Sequence, residues 1–210
     1  MNNQVEVKVW DVFVRVFHWS LVMTFCIAYL TSEEENLWHI YAGYGVLGLV
    51  VFRMFWGFVG SQYARFSNFV RSPAEVLAYF KSLRSGNAQH YLGHNPLGGW
   101  MVLALLATLL IVTLSGLKVY AIEEGKGPFA ANTLHVNPIS LAQAEEDEDE
   151  DRGQEGEDEA EEEFWEEIHE ASSNFMLLLI AVHVLGVVIA SRVHKEALVK
   201  AMFTGKKPKS

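Results

Sequence analysis

The sequence has almost no cysteine and none of the common catalytic or nucleotide-binding motifs. A single cysteine, Cys26, occurs among 210 residues, which excludes an internal disulfide framework and any zinc or iron–sulfur site made from several cysteines. No phosphate-binding loop, dinucleotide-binding fingerprint or nucleophile–base arrangement is visible. The composition also argues against nucleic-acid binding, because no basic stripe lies on a soluble face. The chain therefore shows no substrate chemistry of its own.

Charge is distributed very unevenly along the chain. Residues 145–170 contain 17 of the 26 carboxylates and a single base, Arg152, whereas lysine and arginine are in excess elsewhere. The formal net charge of −10 therefore describes neither part of the molecule. Residues 145–163 have almost no apolar side chains, so we expect an acidic, disordered loop there.

Long apolar runs predict four transmembrane helices. The run from Pro96 to Leu117 has 22 residues without a charge, enough to cross a bilayer core of about 30 Å at about 1.5 Å per residue. The predicted helices cover approximately residues 12–31, 39–60, 96–120 and 164–193. The expected fold class is an all-α integral membrane four-helix bundle over residues 8–200, with the acidic insert 145–163 as an external loop between helices 3 and 4. A basic C-terminal tail, 201–210, follows.

Basic residues lie mostly on one side of these helices. Thirteen share that side, and three lie on the other. The thirteen are Lys8, Arg15, Arg53, Arg65, Arg71, Lys81, Arg84, Arg192, Lys195, Lys200, Lys206, Lys207 and Lys209; the three are Lys118, Lys126 and Arg152. By the positive-inside rule we expect both termini in the cytoplasm of a bacterial inner membrane, with the acidic loop on the external, periplasmic side.

The cytoplasmic connector between the second and third helices carries a helix-start signal. Ser72-Pro73-Ala74-Glu75 combines a cap, a first-turn proline and a capping-box acid. We expect a short interfacial helix through Leu83, with Val76, Leu77 and Phe80 on its apolar side.

Four of the eight histidines fall within the predicted spans or at their ends, where ionisable side chains need a functional explanation. His18 is in the first helix and His39 opens the second, while His169 and His183 are in the fourth. The last two are separated by about 21 Å along the axis and by about 40° around it. His18 and His183 can therefore share the inner level, and His39 and His169 the outer level. Two such cross-helix pairs match the coordination pattern of two six-coordinate haems.

Simpler interpretations of the same residues stay open. Each histidine alone can be an interfacial or hydrogen-bonded polar residue, and His90, His135 and His194 are expected to be solvated loop residues. A rival site is a histidine–glutamate site for zinc or iron transport, although the intramembrane stretches contain no aspartate or glutamate to line a path. Five glycines can either make room for a macrocycle or serve ordinary helix packing; these are Gly43, Gly45, Gly48, Gly116 and Gly186.

Several segments together resemble one family. Val14-Arg15-Val16-Phe17-His18-Trp19 resembles the R-x-x-H-W opening of the bacterial cytochrome b561 / nickel–iron-hydrogenase b-type cytochrome family. Three further features are similar: His39 with Gly43-Tyr44, His169-Glu170 with His183 fourteen residues later, and Gly93-His94-Asn95-Pro96-Leu97-Gly98 before the third helix. The resemblance covers approximately residues 8–200, apart from the acidic insert.

The resemblance implies a di-haem membrane cytochrome b. Two haem b groups would be ligated by His18 with His183 and by His39 with His169. Arg15 or His94 would meet the propionates of the inner haem; alternatively, Arg15 is a basic anchor at the membrane interface and His94 is part of the loop before the third helix. The implied partners are membrane lipid, quinone or quinol, and a basic periplasmic cytochrome c or oxidoreductase subunit. Such a chain carries electrons in a respiratory chain without substrate chemistry of its own. The alternative is a haem-free membrane anchor subunit or a divalent-cation transporter.

Overall fold

A computed structural model describes residues 6–32, 37–87, 89–130 and 148–208, with the backbone alone for residues 148–158. Most of the described chain is helical, which confirms the all-α fold class. The elements are β1 (Glu6–Lys8), α1 (Val12–Leu30), α2 (Leu37–Val59), α3 (Phe66–Phe69), α4 (Pro73–Arg84), α5 (Pro96–Glu124), α6 (Glu148–His194), α7 (Leu198–Thr204) and β2 (Lys206–Pro208). His135 and residues 145–147 lie outside the described residues.

Four helices are long and apolar enough to cross a membrane. They are α1, α2, α5 and the part of α6 from Glu159 to His194, with mean hydropathies of 1.6, 1.6, 2.3 and 2.3. All four predicted spans are thus present as helices. Their surfaces expose many large apolar side chains, including Met23, Phe55 and Leu185, as expected where lipid rather than water surrounds a helix.

The chain divides into two compact units, residues 1–109 with 176–210, and residues 110–175. The core of the first unit lies where all four spanning helices contribute a side chain. Its buried residues are Phe17 of α1, Val46 and Val50 of α2, Leu106 and Leu109 of α5, and Met176 of α6. The first unit therefore has the four-helix core that the sequence predicts.

A single carboxylate joins the start of α1 to the end of α2. Asp11 caps α1 by accepting a hydrogen bond from the Val14 N–H at 2.9 Å. It also accepts hydrogen bonds from Trp56 Nε1 at 3.2 Å and from the Ser61 hydroxyl. Burial alone would raise the pKa of Asp11, but the hydrogen bonds from Ser61, Val14 and Trp56 outweigh it and lower the pKa. The cap therefore stays ionised.

The connector helix predicted from residues 72–83 is α4, Pro73–Arg84. Ser72 Oγ accepts a hydrogen bond from the Glu75 N–H, and the Glu75 side chain accepts one from the Ser72 N–H, which completes the capping box. Leu77 and Phe80 are exposed. An exposed apolar face on a short helix beside the spans is typical of a helix at the membrane interface.

The two ends of the described chain are paired, which the sequence does not indicate. β1 and β2 form an antiparallel pair with Val7 opposite Lys207. Gly205 ends α7 with a φ of 79°, and its carbonyl accepts hydrogen bonds from the N–H groups of Val9 and Trp10. Both ends therefore lie on one side of the membrane, as an even number of spans requires.

Helix α6 begins well before residue 164, where the hydropathy pattern placed its start. The acidic residues 148–163 are helical in backbone, whereas the sequence led us to expect a disordered loop over 145–163. Glutamate has a high helix propensity, and a helix already formed downstream removes the cost of nucleation. Low hydrophobicity thus does not prevent helix formation here.

Candidate functional site

His18 of α1 and His183 of α6 both lie in the first unit, and both are half-buried. They are close enough for their charges to interact. The sequence placed these two histidines at the same inner level of the membrane. Both residues of the expected inner pair therefore lie in the same unit, and their pairing stays a prediction from the sequence.

Five buried side-chain nitrogens near this level have no hydrogen-bond partner within the described residues. They are Arg15 Nε, His18 Nδ1, Trp19 Nε1, Arg53 Nη1 and His94 Nδ1. Leaving a polar atom buried and unpaired costs about 1–3 kcal/mol, so such a set indicates a missing group rich in acceptors. The set includes two guanidinium nitrogens, which favour carboxylates. The propionates of a haem fit the nitrogens of Arg15, Trp19, Arg53 and His94 in this set.

His183 connects the two parts of this donor set. Its charge acts on His18 and also on His94. Arg15, His18 and Trp19 lie within about one turn of α1, and Arg53 interacts electrostatically with His94. His18 and His94 are therefore both within electrostatic reach of His183.

Arg53 is the functional candidate that sequence reasoning missed, since it counted there only as a positive-inside base. The residue is 3% exposed. Its Nη2 donates to the Ala64 carbonyl at 3.1 Å, and its guanidinium lies 5.1 Å from the centre of the Phe66 ring. The sequence does contain a signal for Arg53. The residue lies inside the apolar run of α2, six residues before Val59, whereas a base that only anchors a helix at the interface would lie at the helix end.

His94 lies just before α5 and is half-buried, with its Nδ1 atom inaccessible to solvent. Its ring centre is 4.7 Å from that of Trp10 and 4.5 Å from that of Phe69. Burial, together with the nearby charges of Arg53 and Lys207, lowers the pKa of His94 to about 3. The imidazole is therefore neutral at physiological pH, so it can meet an anion only as an N–H donor and not as a cation.

His39 is held at the start of α2 by the end of α1. Its Nδ1 lies 2.9 Å from the Ala28 carbonyl oxygen. Because a carbonyl oxygen only accepts hydrogen bonds, Nδ1 carries the proton and Nε2 carries the lone pair. This tautomer is the one that metal-ligating histidines use when a backbone carbonyl orients the ring.

His169 of α6 has the same arrangement in the second unit. Its Nδ1 lies 2.9 Å from the Val112 carbonyl oxygen and 3.3 Å from Ser115 Oγ. Gly116 provides the space for the ring, since a Cβ atom added there would come within 2.8 Å of His169 Cε1. The hydrogen bond at Nδ1 thus favours the same tautomer, with the lone pair on Nε2, at both residues of the expected outer pair.

The outer pair itself stays a prediction from the sequence. His39 belongs to the first unit and His169 to the second, so the surroundings of each are described separately. The glycines proposed to make room for a macrocycle fall into different classes. An added Cβ would meet nothing within 4 Å at Gly43, Gly48 or Gly186, whereas at Gly45 it would lie 3.0 Å from Thr24 Cγ2. Gly45 therefore serves helix packing, while the other three border open space.

Two histidines expected to be solvated are instead hydrogen-bonded. His90 Nε2 lies 2.5 Å from Glu196 Oε1, and His194 Nε2 lies 3.3 Å from the Tyr79 hydroxyl. Glu196 also receives Lys207 Nζ at 2.9 Å. Those expectations were wrong because the partners lie 106 and 115 positions away in the chain.

The carboxylates of the described spanning helices lie at the end of α5 and in the first half of α6. Glu123 of α5 converges with Glu162 and Glu166 of α6, all in the second unit, with their oxygens within 4.8 Å of one another. The apolar stretches contain none. The described spans therefore offer no carboxylate path along which a cation could cross.

The comparison with known families gives one match. The family model described as prokaryotic cytochrome b561 matches residues 9–205. The matched range includes all four spanning helices and His18, His39, His169 and His183. No match to the chain is found among curated proteins or among solved structures.

Proposed function

The chain belongs to the prokaryotic cytochrome b561 family, and on that premise we propose that it carries electrons between the quinone pool and a periplasmic redox partner. Membership makes it a b-type haem cytochrome of a bacterial membrane that takes part in electron transfer. The finer proposal is that it binds two haem b groups. It would act in a respiratory chain, alone or as a subunit of a larger oxidoreductase.

The observation that carries the proposal is the tautomer of His39 and His169. Each donates its Nδ1 proton to a backbone carbonyl at 2.9 Å, which supports Nε2 of each as an axial ligand. Haem iron supplies one-electron chemistry, and two axial imidazoles leave no open coordination position. We therefore propose the pairs His18 with His183 and His39 with His169. The second pairing rests on the sequence alone.

The unpaired nitrogens support the inner site independently. We propose that Arg15, Trp19, Arg53 and His94 direct N–H groups at the propionates, while His18 and His183 are the ligands. The guanidinium groups offset the propionate charges, and neutral His94 donates a hydrogen bond without adding charge. Arg53 would contribute most to this balance, because it is nearly inaccessible to water.

The proposed orientation places both termini in the cytoplasm of the inner membrane. The excess of lysine and arginine near the paired termini supports it. The acidic part of α6 would then project into the periplasm, where its charge would attract a basic cytochrome c or oxidoreductase subunit. An inert solvated linker is the alternative for this segment.

A reduced-minus-oxidised absorption spectrum with haem quantitation of the purified protein tests the proposal. We expect a b-type band and two haems per chain. His18→Ala and His183→Ala should each remove the same haem, and His39→Ala and His169→Ala should each remove the other. His194→Gln, at the end of α6, is the matched control and should keep both. A spectrum without a b-type band would contradict the proposal and would favour a haem-free membrane anchor or a cation transporter.

A further inference from the structure

A cavity of about 330 Å³ lies beyond the C-terminal end of α6, lined by α7 and the β1–β2 pair, all within the first unit. Its volume is within the range of small-ligand sites. The charged residues of its wall are Lys195, Lys200, Lys206, Lys207, Glu6 and Glu196. None of them is among the histidines or unpaired nitrogens described for the haem sites.

Two of the four lysines are neutralised and two are not. Lys206 Nζ lies 3.1 Å from Glu6 Oε2, and Lys207 Nζ lies 2.9 Å from Glu196 Oε2. Lys195 and Lys200 form no ion pair with any carboxylate in the described ranges. The wall of the cavity therefore has an uncompensated positive charge, which favours an anionic ligand.

Lys195 has an unusual backbone conformation. Its φ is 53°, and it is the one residue other than glycine with positive φ among those the structure describes. It ends α6 in a reversal in which the Glu196 N–H donates to the Ser191 carbonyl at 3.0 Å. Glycine is the usual residue at this position because it adopts positive φ without steric cost. A lysine at a site that favours glycine indicates that its side chain has a use.

The cavity lies just beyond the C-terminal end of a candidate membrane span. Lys195 directly follows His194, the last residue of the fourth candidate span. Helix α7 exposes the apolar side chains of Val199 and Phe203, and Phe203 stacks on Trp19 of α1 with ring centres 4.3 Å apart. Basic pockets beside the ends of spanning helices are where anionic phospholipid headgroups bind.

We propose that this cavity binds a phosphate group, with Lys195 and Lys200 supplying the charges that recognise it. The phosphate can be that of an anionic phospholipid headgroup or a free phosphate ion, and both present the same chemistry to the lysines. The location just beyond the end of a candidate span favours the lipid. Binding there would join α7 to the end of α6.

The test uses the full-length, haem-loaded protein in mild detergent. The melting temperature is followed while short-chain phosphatidylglycerol, phosphatidylcholine or inorganic phosphate is titrated. The test variant combines Lys195→Gly, which suits the positive φ, with Lys200→Gln. The matched control combines Lys81→Gln with Arg84→Gln, which removes two charges from α4 outside the cavity.

We expect phosphatidylglycerol to stabilise the wild type and the control equally, and to bind the test variant about thirtyfold more weakly. Lys200→Gln alone, a change at an exposed side chain, should weaken binding about fivefold. If inorganic phosphate alone shows this dependence on the lysines, the ligand is the free ion. The proposal would be overturned if phosphatidylglycerol and inorganic phosphate each bound the wild type and the test variant equally. It would also be overturned if neither bound the wild type.

Discussion

The imidazole of His169 lies directly against the backbone of α5 at Gly116, where an added Cβ would be 2.8 Å from Cε1. One turn of α5 also supplies the Val112 carbonyl, 2.9 Å from His169 Nδ1. The same turn therefore sets both the position and the tautomer of this ring. Gly116 is a helical residue, so the space for the ring, not backbone freedom, explains the glycine.

Gly116→Ala should therefore displace the His169 ring and weaken the outer haem site. We expect haem content to fall from two toward one per chain, with the remaining haem keeping its midpoint potential. Haem quantitation and a redox titration measure both. Leu114→Ala is the control, because it alters the same turn at an exposed side chain and should retain both haems. Unchanged haem content in Gly116→Ala would contradict the role assigned to His169.

The parts of the fold that the sequence predicts are those with a local signal. Hydropathy gives the four spans because a bilayer crossing requires an uninterrupted apolar run. The capping box at Ser72 and Glu75 gives α4 because its hydrogen bonds join residues three positions apart. For each of these, neighbouring residues in the chain carry the information.

The features that the sequence does not predict depend on distant contacts. The pairing of β1 with β2 joins the two ends of the described chain. Glu196 is hydrogen-bonded to His90, which lies 106 positions earlier in the connector between α4 and α5. The burial of Arg53 depends on how residues 64–69 fold back over α2. Short strands and single polar residues give no periodic pattern, so only tertiary structure reveals these contacts.

Arg53→Gln should lower the midpoint potential of the inner haem. Reduction adds an electron to the haem, so a nearby buried positive charge stabilises the reduced state, and its removal should shift the potential down by roughly tens of millivolts. A redox titration of the wild type and the variant measures this shift. Lys81→Gln, on exposed α4, is the control and should leave the potential unchanged. Equal potentials in Arg53→Gln and wild type would place Arg53 away from the haem.

Glu196→Gln should destabilise the protein. The Glu196 and Lys207 side chains are 7% and 5% exposed, so the substitution leaves a buried ammonium group without its counter-charge. Breaking a buried pair in this way costs about 3 kcal/mol in the free energy of unfolding. Thermal unfolding at pH 7 measures the loss. Glu6→Gln, which breaks the exposed pair with Lys206, should cost about 0.5 kcal/mol or less.

The destabilisation by Glu196→Gln should also depend on pH. Burial alone would raise the pKa of Glu196, but hydrogen bonds from Lys207 and His90 outweigh it and lower the pKa below its ordinary value of 4.5. The carboxylate therefore contributes its full stability above pH 4.5, and that contribution is lost as the pH falls through the folded-state pKa. The difference in melting temperature between variant and wild type should narrow below pH 4.5. If the difference in melting temperature stayed constant down to the lowest pH at which the protein folds, the ion pair between Glu196 and Lys207 would be contradicted.

Replacing every aspartate and glutamate of residues 145–163 by asparagine and glutamine should slow electron transfer to a basic cytochrome c. This change keeps the length of the segment and removes its charge. Electrostatic steering falls as salt shortens the Debye length from about 30 Å at 0.01 M to about 8 Å at 0.15 M. We expect the second-order rate constant to fall about tenfold or more at the lower ionic strength, and the difference to shrink as salt rises.

An acidic redox protein separates docking by charge from a general defect in the neutralised variant. Repulsion by the acidic segment should slow its reaction with the wild type, so the neutralised variant should react faster at low salt. Stopped-flow absorbance of the b-type band follows both reactions. A loss of rate toward the basic and the acidic protein alike would show damage to the haem sites. Equal rates for wild type and variant toward the basic protein at low salt would leave residues 145–163 as a solvated linker.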